Sequence, residues 1–315
     1  MKVIYGIGKV KSVMKNTVLA IGVFDGVHQG HQMLLRRALQ KAKEIGGKVM
    51  VMTFAPHPVH VLCPEKEQSL LTSLIYKLKF LEKLDVAVCV VVHFTKRFAA
   101  MAPEDFIKCY LLKSIAPKEI FVGNDFRFGK DRRGTLDYFQ EMGRVHGFNV
   151  NVVNPSTNKD GKKKIGSTII RHFIMEGKLG LARKCLGRSV EVVGCVVRGD
   201  GRGKTLGFPT ANILIKKEVV PPEGVYAVYV RIARKRYAAM VNIGYRPSFQ
   251  KKIHNLNIEV HILDFKKNIY GKEIVIEFIK KIRIEKKFSS KEALVAQIHR
   301  DELKVRKILP LPHIS

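Results

Sequence analysis

Gly22-Val23-Phe24-Asp25-Gly26-Val27-His28-Gln29-Gly30-His31 joins a short apolar strand at residues 17–22 to a helix at 32–45. In that helix Met33, Leu34, Leu35, Ala38, Leu39 and Ala42 make one apolar stripe of helical period. Gly46 and Gly47 then stop it, because glycine accepts the left-handed geometry common at helix ends. Strand, glycine-containing turn and helix open a βα unit, and the following text repeats the pattern. Strands are expected at 48–54, 86–92, 119–122 and 149–153, and helices at 70–84, 103–112 and 136–146. The strands are nearly continuous apolar runs, which predicts a parallel sheet covered on both faces. Ligands of such sheets bind beyond the carboxyl ends of the strands. The polar, glycine-containing segments after Gly22, Phe54 and Val122 are therefore the first places to look for a site.

Past residue 154 the pattern changes. Residues 154–164 are polar and basic, a loop or flap, and two short helices follow at 167–176 and 178–186. From Arg188 onward the text reads as β: 190–197, 224–232, 236–243, 258–263 and 274–284, separated by turn residues. A small antiparallel barrel is expected, closed by a helix at 290–305 with Leu294, Val295, Ile298 and Leu303 on one side. The chain is thus read as α/β, with a parallel-sheet domain over 1–187 and a barrel domain over 188–315.

The 315 residues are 46% hydrophobic, enough for two cores, and the 57 Lys and Arg exceed the 27 Asp and Glu by 30. The surplus is spread along the chain: residues 1–187 hold 31 basic and 15 acidic side chains. A basic tail on a neutral body is excluded. Such a surface attracts anionic nucleotides, but no zinc-finger spacing, KH-type GxxG or RNP-like aromatic strand is present, so no specific nucleic-acid partner is expected. The five cysteines form no CxxC pair and fit a reducing compartment rather than a disulfide scaffold. No apolar run is long enough to cross a bilayer. A soluble cytoplasmic protein is expected, as a monomer or weak homo-oligomer.

His28 and His31 are three residues apart at a helix start, so both rings can face one pocket. Exposed N–H groups there favour phosphate, and imidazoles beside them can donate to its oxygens. Two ordinary loop histidines are the plain alternative. A zinc site including His57 and His60 is a third, although no acidic or thiol ligand stands at zinc spacing.

The barrel half carries Gly199-Asp200-Gly201-Arg202-Gly203-Lys204-Thr205, which fails as a Walker A loop because Arg198 stands where the pattern needs glycine. It continues through Gly207 to Thr210-Ala211-Asn212. In an extended segment Thr210 and Asn212 project together, and a hydroxyl with an amide oxygen suits a Mg²⁺–phosphate complex. A turn with a surface Thr and Asn remains the alternative. Glu259 alternates with Ile258, Val260 and Ile262, opposite their face, where a carboxylate can accept a proton from a bound hydroxyl or simply occupy the surface.

Together these blocks resemble the bacterial bifunctional riboflavin kinase/FAD synthetase family. The first half matches through residues 22–31, Thr53-Phe54-Ala55-Pro56-His57-Pro58, Val122-Gly123-Asn124-Asp125-Phe126-Arg127-Phe128-Gly129 and Ser167-Thr168 with Arg171. The second half matches through 207–213, Pro222-Glu223-Gly224-Val225-Tyr226-Ala227, residues 242–249 and 259–265, Tyr270-Gly271 and Lys287-Phe288-Ser289-Ser290. The resemblance implies a Rossmann-like nucleotidyltransferase domain followed by a riboflavin kinase barrel. Riboflavin would be phosphorylated by ATP to FMN, and FMN adenylylated to FAD. By the same resemblance Glu259 is the kinase base, Thr210 and Asn212 hold Mg²⁺–ATP, and Gly199, Gly201, Lys204 and Gly207 border its phosphates. His28, His31, Asp125 and Arg171 serve adenylyl transfer, with Gly22, Phe24, Asp25, Gly30, His57, Pro58, Ser167 and Thr168 binding nucleotide or flavin.

Three positions in two blocks depart from the family pattern. Ala55 stands where a glutamate is usual, and Gly166 and Ile169 replace a hydroxyl and a cation. Lys162, Lys163 or Lys164 could supply the missing charge as point charges rather than bidentate forks. The alternatives are riboflavin kinase alone with a weakened second site, or a nucleotide-sensing or RNA-binding protein built from degenerate catalytic domains.

Overall fold

Parallel pairing begins at the N-terminus, where Lys2–Tyr5 (β1) lies beside Val88–His93 (β4). The sheet is completed by Thr17–Ile21 (β2), Lys48–Ala55 (β3), Glu119–Gly123 (β5) and Asn149–Val153 (β6), in the order β1-β4-β3-β2-β5-β6. The computed structural model describes residues 1–10, 14–154, 165–199, 203, 206–246 and 255–309. The chain divides into two compact units, residues 1–167 and 168–315.

In the first unit, alternate strand side chains feed two cores. Leu19, Ile21, Met52, Val90 and Val122 pack on one face against Phe106, Leu111, Ile115 and Phe139. Val18, Ala20, Val51, Val91 and Phe121 pack on the other face against Leu34, Leu35, Ala38, Ala42 and Leu81. Full burial of a Leu such as Leu35 contributes about 1.5–3 kcal/mol. The helices are Gln29–Glu44 (α1), Pro58–Leu62 (α2), Leu74–Glu82 (α3), Lys96–Ala99 (α4), Pro103–Asp105 (α5) and Leu136–His146 (α6), with a π-helix at Phe106–Ile115. Connections from β2 run one way across the sheet through β3 and β4, whereas β5 and β6 lie on its other side. The crevice beyond the ends of β2 and β5 is therefore the switch point at which open α/β sheets bind ligands.

Several elements of the first unit differ from the sequence reading, α2 and α4 among them. β1 was not expected, since four residues with a lysine and a following glycine carry little periodic signal. The helix expected at 70–84 spans Leu74–Glu82, and the N–H groups of Leu71 and Thr72 ahead of it go to the Asp25 carboxylate. The expected helix at 103–112 reaches Ile115 through the π-helix.

In the second unit, Ser167–Met175 (α7) and Leu179–Leu186 (α8) precede a closed barrel in the order β10-β11-β8-β7-β12-β9. Its strands are Val190–Val197 (β7), Ala211–Ile215 (β8), Gly224–Ile232 (β9), Lys235–Arg246 (β10), Asn255–Ile262 (β11) and Glu273–Arg283 (β12). α8 packs on β7 and β12, and the compact-unit division after residue 167 groups both short helices with the barrel. Helix Lys291–Ile308 (α9) starts at a Ser290 cap and buries Val305 with Val225, Ala227, Tyr229, Ala238 and Met240. Leu303 is 61% exposed, a correction to the expected stripe. Asp301 occupies the inward position instead, held by Arg283 at 2.7 Å and Gln297 at 2.8 Å, and two residues further on the helix has turned to solvent.

Candidate active sites

The loop between β2 and α1 is fixed from below. Gly22 N–H donates to Met52 O at 3.1 Å. Lys77 is buried and donates to the Val23 carbonyl at 2.7 Å, which also accepts from the Thr53 hydroxyl at 2.9 Å. Burial lowers the Lys77 pKa, and Asp25 partly offsets this. The Asp25 carboxylate accepts from Leu71 N at 3.0 Å and Thr72 N at 3.2 Å, so it ties two loops together inside the fold. Phe24 adopts a left-handed conformation, is buried, and sets its ring edge against His31 with centroids 5.2 Å apart.

Held this way, His28 caps α1. Its Nδ1 accepts from His31 N at 3.3 Å, which leaves its Nε2 as the proton-bearing, donating nitrogen. The two rings stack with centroids 3.6 Å apart and 18° between planes, so the pair faces one way, as the spacing predicted. His31 is held well below its ordinary pKa by burial first, then by His28 and Lys77. It is therefore neutral imidazole at neutral pH, and its buried Nδ1 has no hydrogen-bond partner among the described residues. Gly30 is buried in the first turn of α1.

Asp125 is exposed on the turn that leaves β5, the neighbour of β2, where Phe126 N donates to Gly123 O at 3.1 Å. The Ser167 hydroxyl donates to the Asp25 carbonyl at 3.0 Å, joining the histidine loop. His57 caps α2 through Val59 N at 3.1 Å, with Pro58 as the first helical residue, and His60 is engaged by Gln68 O at 2.7 Å. Among the described residues no group of three His, Cys, Asp or Glu could hold a metal ion. Thr168 and Arg171 belong to the second unit, Thr168 exposed and Arg171 buried within α7. Lys162, Lys163 and Lys164 lie outside the described residues.

In the barrel, Glu259 on β11 pairs in register with Asn212 on β8 and with Asn242 on β10. Asn242, Glu259 and Asn212 thus form one row across three neighbouring strands, on the face opposite buried Ile258 and Val260. Asn257 donates to Glu259 Oε1 at 2.8 Å, leaving Oε2 for another partner. A Cβ on Gly199 would overlap the Asn212 amide, and a Cβ on Gly203 would stand 2.8 Å from the Thr210 hydroxyl. Both polar groups therefore lie against glycine backbone, a cradle that any side chain would fill. Gly207 takes φ +83° in the turn before Phe208. Gly201, Lys204 and the stretch Pro247-Ser248-Phe249 lie outside the described residues. Beside this loop a cavity of about 500 Å³ is lined by Leu206, Val295, Ala296 and His299, with Lys291 and Glu292 at the start of α9. His299 meets Phe208 edge to face at 4.8 Å.

Sequence reading missed Lys77, Asn242 and Asn257. Alternation from Glu259 marks Asn257 as its same-face neighbour, whereas nothing local distinguishes a buried Lys77 from the other lysines.

Comparison with known proteins covers both units. A family model described as FAD synthetase matches residues 10–169, and one described as riboflavin kinase matches 186–309. The chain is 39% identical over 313 residues to the bifunctional riboflavin kinase/FMN adenylyltransferase of Escherichia coli K12, covering 99% of each. It is also 39% identical over 298 residues to that of Bacillus subtilis 168, covering 93% of this chain and 92% of the other. A solved structure from Streptococcus pneumoniae, described as a macrolide-efflux protein, superposes with a TM-score of 0.86 at 31% identity, covering 97% of this chain and 99% of that one. Among the described residues no helix is long and apolar enough to cross a membrane.

Proposed function

Since the chain belongs to the bifunctional riboflavin kinase/FMN adenylyltransferase family, we propose how its own residues divide the two reactions. The protein phosphorylates riboflavin with ATP to FMN and adenylylates FMN with a second ATP to FAD and pyrophosphate. The kinase work is assigned to residues 188–315 and the transferase work to 1–187, with α7 and α8 linking the two family-model matches.

In the kinase site, Glu259 takes the proton from the ribityl 5′-hydroxyl as its oxygen attacks the γ-phosphorus and ADP leaves. Asn257 holds one carboxylate oxygen and aims the other. The observation that carries this reading is the register pairing of Glu259 with Asn212. It sets the base beside a hydroxyl–amide pair that fits a hard cation bearing phosphate. Thr210 and Asn212 would hold Mg²⁺, which when bound neutralises phosphate charge. Gly199 and Gly207 border the nucleotide, and the cavity beside Phe208 offers an apolar wall to a flat ring.

In the transferase site, an FMN phosphate oxygen attacks the α-phosphorus of ATP and the bond to the bridging oxygen breaks, releasing pyrophosphate. His28 donates its Nε2–H to the phosphoryl oxygens, neutral His31 supports it by stacking, and the α1 N-terminus adds its dipole. Asp25 and Phe24 position the loop from inside, while Asp125, His57, Pro58 and Ser167 contact nucleotide or flavin. Cytoplasmic residence is part of the same reading, supported by ATP dependence and by five free cysteines.

Incubating the purified protein with riboflavin, ATP and Mg²⁺ and separating the flavins tests the reading. FMN followed by FAD is expected. FMN alone would leave only the kinase.

A further inference from the structure

A second carboxylate shares the face of the barrel that bears Glu259. A Cβ on Gly244 would stand 2.8 Å from Glu285 Oε2 and would collide with Oε1, so the Glu285 carboxylate rests directly on the Gly244 backbone. Gly244 pairs in register with Asn257, the residue that donates to Glu259. Its missing side chain would project with those of Asn242, Asn257 and Glu259. Gly244 and Glu259 are thus diagonal neighbours on adjacent strands, about 7–8 Å apart at Cα.

The segment that delivers Glu285 is pinned. Arg283 donates to buried Asp301 on α9 at 2.7 Å and to the Ile284 carbonyl at 2.9 Å, and Gln297 holds the other Asp301 oxygen. Glu285 itself remains exposed. An exposed carboxylate held over bare backbone is an acceptor with oxygens to spare. A carboxylate is repelled by ATP phosphates, so the flavin's hydroxyl groups are the donors it suits.

We infer that Glu285 is a further substrate-contacting residue of the kinase: its carboxylate accepts hydrogen bonds from ribityl hydroxyls between the isoalloxazine ring and the reacting 5′ position. The inference rests on the assignment of Glu259 as base. With the 5′-hydroxyl at Glu259, an extended ribityl chain runs about 5 Å back to its first carbon, which is within the separation of diagonal neighbours. Glu285 then reads the sugar-alcohol chain and Glu259 reacts with its end.

The test compares riboflavin with its 2′-, 3′- and 4′-deoxy analogues as substrates for the wild-type enzyme, Glu285→Gln and Glu259→Gln. Wild-type enzyme is expected to disfavour at least one analogue about tenfold or more in kcat/KM, since a hydrogen bond to a charged group is lost. Glu285→Gln, which keeps one acceptor but loses the charge, should raise KM for riboflavin and shrink that same discrimination several-fold. A merely structural role would leave the discrimination undiminished, and undiminished discrimination in Glu285→Gln, or its absence in the wild type, overturns the inference. Glu259→Gln reports separately: undiminished turnover there removes the base assignment, whatever the analogues show.

Discussion

His28 and His31 stack ring on ring, 3.6 Å between centroids, while the Nδ1 of the first receives the backbone N–H of the second. Two imidazolium ions cannot share that geometry cheaply, so at most one of the pair carries a charge. This makes the transferase site a hydrogen-bond donor rather than a doubly charged clamp.

A pH signature follows. The folded-state pKa of His31 lies well below the ordinary histidine value of 6.5, so the unfolded chain binds the proton more tightly. Its contribution to stability is fully present above about pH 6.5 and is lost as pH falls towards the folded pKa. Urea unfolding at pH 7 and pH 5 should show a loss of stability on acidification that is smaller in His31→Gln. An identical loss in both proteins would contradict the neutral, buried assignment.

Asp25→Ala should loosen the loop without removing a ligand. The bonds from Leu71 and Thr72 to a carboxylate are each worth about 1.5–3 kcal/mol. We expect a fall in thermal stability of the first unit and a drop in FMN adenylylation, with riboflavin phosphorylation retained. Equal losses in both activities would place Asp25 in a role shared by the two units.

Gly199→Ala inserts a methyl into space held by the Asn212 amide. Its KM for Mg²⁺–ATP in the kinase reaction should rise about tenfold or more, the same direction expected for Asn212→Ala and Thr210→Ala. An unchanged KM would mean that the Asn212 amide is not a ligand of the metal–phosphate complex.

Much of this was legible beforehand, for identifiable reasons. The Leu34–Ala42 stripe follows the helical period, and β2 to β5 are near-continuous apolar runs because both faces of the sheet are covered. Glu259 stood out as an acid within an apolar alternation. What escaped depends on contacts distant in sequence. Asp25 reads as a loop acid beside a phosphate site, yet its oxygens are used by residues more than forty positions away. Leu303 fits a helical stripe until Arg283 claims Asp301. Glu285 lies in a charged turn of no periodicity, and only the bare backbone of Gly244 gives it a place.

Flavin chromatography on three proteins in parallel tests the division of labour most directly. Wild type, Glu259→Gln and His28→Ala are each given ATP and Mg²⁺ with either riboflavin or FMN, and pyrophosphatase removes the reverse reaction. Glu259→Gln should form no FMN from riboflavin yet convert supplied FMN to FAD. His28→Ala should accumulate FMN and form FAD at least a hundredfold more slowly, in line with loss of a preorganised donor to developing charge. FMN formation at the wild-type rate by Glu259→Gln, or FAD formation at the wild-type rate by His28→Ala, would contradict the account of that site.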